Sequence, residues 1–66
     1  MVDLSGRVKK IAKEKGVSIA ELERAVGVSP NSIHRWNNNI PSMDKIIKVA
    51  EVLETNVEFI VKGILP

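Results

Sequence analysis

Ser18-Ile19-Ala20-Glu21-Leu22-Glu23-Arg24-Ala25-Val26-Gly27-Val28-Ser29-Pro30-Asn31-Ser32-Ile33-His34-Arg35-Trp36 is the stretch that decides the fold. Ser18 with Glu21 three residues on is a capping-box pattern. Ile19, Leu22, Ala25 and Val26 then recur at helical spacing, which predicts a short helix stopping at Gly27. A second start follows at once. Ser29 is a good N-cap, and Pro30 falls at the first helical position, where its missing N–H costs nothing. Ile33 and Trp36, three apart, give this second helix (about 30–37) one apolar face. Two short helices joined by a Gly-containing turn of about three residues make a helix-turn-helix unit, here about 18–37. Its framework is Leu22, Gly27, Val28, Ile33 and Trp36. Gly27 supplies positive φ at the corner, and the four apolar side chains hold the angle between the helices.

Outward from this unit the chain reads as helix throughout. Leu4, Val8, Ile11 and Ala12 form an apolar stripe closed by Gly16, a residue suited to a left-handed helix end. After the unit, Asn37-Asn38-Asn39 and Pro41 mark a loop, because proline disfavours helical geometry at Ile40. Ser42 caps a fourth helix with the stripe Met43, Ile46, Ile47, Val49, Ala50 and Leu53. Thr55 and Glu58 repeat the capping-box pattern ahead of a short fifth helix ending at Gly63. No period-2 alternation of any length appears, so the expectation is a single all-α domain over residues 1–66, a compact five-helix bundle.

Composition narrows the class. A 66-residue chain forms one domain with a small core. It has no cysteine and one histidine, so neither disulfides nor a metal site are expected. No run approaches the ~20 apolar residues of a membrane span, and the N-terminus lacks signal-peptide features, so a soluble cytoplasmic protein is expected. The net charge of +2 permits a polyanionic partner. Arg7, Lys9, Lys10, Lys13 and Lys15 are read as a solvated helix face.

The pattern Val17-Ser18-x-x-Glu21-Leu22, Gly27-Val28-Ser29, Ile33-x-x-Trp36, Pro41-Ser42, Ile46, Val49-Ala50 and Leu53 resembles the lambda-repressor-like, Cro/XRE-type DNA-binding domains. The resemblance covers roughly residues 4 to 63. It implies a five-helix bundle whose third helix lies in the major groove, and a transcriptional regulator of a kind common in phages and bacterial mobile elements. Two departures stand out. Relatives carry Gln at the start of the second helix, where it touches phosphate, but here the residue is Ile19. They carry a small Ala after the framework Leu, but here Glu23 must bend outward or find a partner such as Arg35. Some phage repressors pair an Arg in the first helix with a Glu after the third; the matching positions are Ala12 and Asn37, so both partners are missing.

The face opposite Ile33 and Trp36 carries Asn31, Ser32, His34 and Arg35. Arg bridges guanine O6 and N7, Asn bridges adenine N6 and N7, and Ser serves either, so these four are the expected base readers, with Asn31 and Arg35 the principal ones. Backbone contacts are expected at helix N-termini and in the loop that follows: Ser18, Ser29, Asn38, Asn39, Ser42 and Lys45. Trp36 is read as core, and His34 as an exposed polar residue beside DNA rather than a metal ligand.

Phe59 and Ile60 are expected to close the core. Val57, Val61, Ile64 and Leu65 then leave an apolar surface on the last helix. Related phage domains pair through that helix, so a homodimer through these four residues, reading half-sites about 34 Å apart, is expected. A double-stranded DNA operator is the expected partner, with no cofactor and no small-molecule substrate. The alternative is a protein-interaction module of the same fold, favoured by Ile19 and the modest charge and opposed by the polar face of the third helix. Catalysis is not expected, because His34 has no carboxylate or nucleophile beside it in sequence.

Overall fold

The computed structural model describes residues 3–62. Four α-helices follow in order, α1 (Leu4–Lys15), α2 (Ile19–Val26), α3 (Met43–Val52) and α4 (Val57–Lys62). Between α2 and α3 stands a single 3₁₀ turn, Ile33–Arg35. The described residues are all helical or irregular, with no strand. The expected count of five helices is therefore corrected to four, and the element lost is the predicted helix 30–37. None of the described helices is long and apolar enough to cross a membrane.

Local chemistry explains most of the boundaries. Asp3 caps α1, its Oδ1 accepting the Gly6 N–H at 3.1 Å. At the other end Gly16 sits at φ 75°, and the Val17 N–H reaches back to the Ala12 carbonyl at 2.9 Å, satisfying carbonyls that the helix leaves open. Ser18 and Glu21 form the full reciprocal box: Ser18 Oγ accepts the Glu21 N–H at 3.1 Å, and Glu21 Oε1 accepts the Ser18 N–H at 3.3 Å. Ser42 precedes α3 in extended geometry, without a side-chain cap. The start of α4 differs by one residue from the expected Thr55 box: Asn56 Oδ1 accepts the Phe59 N–H at 2.7 Å. The expected end at Gly63 lies outside the described residues.

One core unites the helices. Leu4, Val8, Ile11 and Ala12 of α1 meet Leu22 and Val26 of α2, Ile46, Val49, Ala50 and Leu53 of α3, and Ile60 of α4, all buried. Ile33 and Trp36 seal it from the segment between α2 and α3. Three expected core residues are on the outside. Met43 lies on the packing side of α3 but one turn beyond the core and is 58% exposed, and Ile47 is displaced to the helix flank and is 43% exposed. On α4 the inward side is Val57, Ile60 and Val61, at i, i+3 and i+4, so Phe59 faces outward and is 42% exposed.

Candidate nucleic-acid interface

The corner of the helix-turn-helix unit forms as its residues dictate. Gly27 takes φ 86°, and its N–H and that of Val28 both bond the Glu23 carbonyl, at 2.9 and 3.0 Å. Leu22, Ile33 and Trp36 are buried beneath the corner, and Val28 is half-buried against them.

Beyond Val28 the chain departs from the expected helix. Ser29-Pro30-Asn31-Ser32 is a β-turn, with the Ser32 N–H donating to the Ser29 carbonyl at 3.1 Å and Asn31 at φ 68°. Proline second and a left-handed asparagine third is the chemistry of a type II turn. Ser29 and Pro30 thus serve a turn instead of a helix cap, and the 3₁₀ turn follows from Ser32. The Arg35 and Trp36 N–H groups bond the Ser32 and Ile33 carbonyls at 2.9 and 3.2 Å, and those of Asn38 and Asn39 both bond the Arg35 carbonyl.

Two side chains fasten this segment to the bundle. Glu23 is 5% exposed and, of the two expected outcomes, does not bend outward but finds partners, which are backbone amides and not Arg35. Its Oε1 accepts the Asn31 N–H at 3.1 Å and its Oε2 the Ile33 N–H at 3.2 Å. A buried carboxylate is tolerated here because both oxygens are hydrogen-bonded by backbone donors that would otherwise lack partners. At the far end, Asn37 Oδ1 accepts the Ser5 N–H at 3.0 Å, and its Nδ2 donates to Asp3 Oδ1 at 2.9 Å. The Asn37 amide and the Gly6 N–H hold the Asp3 carboxyl below its ordinary pKa, and the Ser18 hydroxyl and N–H do the same for Glu21.

A groove of about 220 Å³ opens beside the segment, between the corner and the start of α3. It is lined by Ser32, Arg35, Asn39 and Lys45 among polar residues and by Val28, Trp36 and Pro41 beneath. Four expected site residues thus converge, one hydroxyl, one amide and two cations. Arg35 is exposed, with its Nε directed to the Asn31 carbonyl at 3.5 Å. Asn31, His34, Asn38, Ser29 and Ser42 are exposed but do not line the groove. Ser18 is exposed too, with its hydroxyl engaged in the α2 cap. Of the expected dimer residues, Val57 and Val61 are half-buried against the core, while Ile64 and Leu65 lie outside the described residues. Glu23 and Asn37 are the fastening residues that spacing alone did not assign. For Glu23 the available signal was a long acidic side chain at a crowded helix contact.

A family profile described as helix-turn-helix matches residues 8–60. The chain belongs to the Cro/C1-type helix-turn-helix family. No curated protein and no solved structure matches it significantly. As a Cro/C1-type domain it is lambda-repressor-like, and the family is one of DNA-binding regulators. In this helix-turn-helix domain the residues of the second limb form a β-turn and a 3₁₀ turn, with the framework Leu22, Gly27, Ile33 and Trp36 in its expected place.

Proposed function

We propose that this domain is a sequence-specific double-stranded DNA-binding transcriptional regulator, a repressor of phage or mobile-element type acting in the cytoplasm. The convergence of Ser32, Arg35, Asn39 and Lys45 on the free side of a segment whose other side is locked into the core carries this reading. In it the segment enters the major groove. Arg35, Asn31, Ser32 and His34 meet base edges, while Lys45, Asn38, Asn39, the turn residue Ser29 and the starts of α2 and α3 near Ser18 and Ser42 meet phosphates. Occupancy of the operator excludes polymerase. A homodimer through the last helix, using Ile64, Leu65 and the part of Val57 and Val61 that the core leaves accessible, would present two such segments to a symmetric site.

The test is titration of a random-sequence duplex and of a selected pool, each at two salt concentrations. Steep salt dependence with enrichment of a two-fold symmetric sequence supports the operator-binding dimer. A short asymmetric site would retain DNA reading and discard the dimer. A second reading, a protein-interaction module, draws on the exposure of Ile40, Met43 and Ile47, which are 72%, 58% and 43% accessible. Feeble binding with no enriched sequence would favour it.

A further inference from the structure

We infer that Glu23, which contacts no base in the proposed complex, is a specificity-determining positioning residue that acts on Arg35 through the backbone of Asn31. The inference rests on the DNA-reading function proposed above. The links are continuous. Glu23 Oε1 accepts the Asn31 N–H at 3.1 Å, and the carbonyl of that same residue faces Arg35 Nε at 3.5 Å. The second carboxylate oxygen holds the Ile33 N–H at 3.2 Å, so the carboxylate spans the bend on which Asn31 takes φ 68°.

Left-handed geometry is available to asparagine but not favoured by it, and a residue stays there when its surroundings fix it. Glu23 does so from a rigid place, on α2 and 5% exposed. A small side chain at position 23 would leave the Asn31 and Ile33 N–H groups without this partner. The turn would then be free to rewind towards the regular helix that Ser29 and Pro30 permit, carrying Arg35 to a different place over the groove it shares with Ser32, Asn39 and Lys45. The side chain at 23 thereby selects which base step Arg35 meets.

Glu23→Gln preserves volume and offers only one acceptor; Glu23→Asp keeps the charge and withdraws both oxygens by one methylene. Each is compared with the parent chain, and Glu23→Gln also with Arg35→Ala and the double variant. The readouts are circular dichroism for folding, amide exchange at Asn31 and Ile33, and selection from a randomised duplex pool. Both variants should fold, exchange faster at these two amides, and lose about fivefold or more of the preference at the step read by Arg35. Steps read by neither Arg35 nor the turn residues Asn31 and Ser32, and the salt slope, should stay as they are, and at the step read by Arg35 Glu23→Gln should add nothing to Arg35→Ala. A folded variant with unchanged preference, a uniform loss over all steps, or additivity with Arg35→Ala would each overturn the inference while leaving DNA reading intact. A parent chain that enriches no sequence would instead overturn DNA reading, and this inference with it.

Discussion

Arg7 on α1 and Phe59 on α4 are joined twice. The guanidinium carbon lies 4.7 Å from the centroid of the Phe59 ring, and Nη2 donates to the Phe59 carbonyl at 2.9 Å. That carbonyl gives the guanidinium a hydrogen-bond acceptor on α4 beside the ring that it covers. The pair therefore couples the first and last helices at the surface. Arg7→Ala is expected to cost about 1–2 kcal/mol of stability, combining a cation–π contact with a charged hydrogen bond to a carbonyl. Urea unfolding of the Arg7→Ala, Phe59→Ala and double variants checks this. The two losses should fall short of additivity by about 0.5 kcal/mol or more.

Acid should weaken the fold through Asp3 and Glu21. Both carboxyls are held below their ordinary pKa, Asp3 by the Asn37 amide and then the Gly6 N–H, Glu21 by the Ser18 hydroxyl and then its N–H. Between the folded and unfolded values the folded chain binds fewer protons, so their contribution is fully present above the unfolded values and drains as pH falls through the folded ones. Melting temperature should decline below about pH 4. In the Asp3→Asn, Glu21→Gln double variant the decline should be shallower; an identical acid profile would contradict this.

Asn31 offers a test of the turn that needs no DNA. At φ 68° glycine meets no steric penalty, whereas a β-branched side chain does. Asn31→Gly should leave the melting temperature nearly unchanged. Asn31→Val should cost about 1–3 kcal/mol, read by thermal unfolding followed through Trp36 fluorescence. Equal stabilities would exclude a left-handed residue 31.

Lys45 and Arg35 share the groove but should behave differently in binding assays. Lys45→Ala is expected to weaken all duplexes alike and to lower the salt slope by about 0.9. Arg35→Ala is expected to relax preference at one base step by about 1–3 kcal/mol. Fluorescence anisotropy with matched and singly substituted duplexes separates the two effects.

Features set by neighbours in sequence were legible before any coordinates. The Ser18–Glu21 box and the left-handed stops at Gly16 and Gly27 depend on a few consecutive residues, and all three form. Ser29-Pro30-Asn31-Ser32 was not legible, because the same four residues spell a capped helix start or a β-turn. The tie is broken by Glu23, which reaches eight and ten residues along the chain to the Asn31 and Ile33 amides. Burial of apolar periodic positions likewise depends on what stands opposite. Met43 and Ile47 keep helical register with α3 yet stay 58% and 43% exposed, and Phe59 finds its partner 52 residues away in Arg7. Asn37 could be read only as a missing ion-pair partner. That its amide would link to the start of α1 required knowing that Asp3 and Ser5 lie beside it.

The segment bearing Arg35 is moored at both ends to different helices, to α2 by Glu23 and to α1 by Asn37. It is in effect a strut whose posture is preorganised when the bundle folds. A duplex therefore encounters a surface already set, and little ordering entropy is charged to association. Any distortion that slides α1 against α2 must also tilt the strut, so damage remote from the DNA face would blur sequence discrimination as well as lower stability.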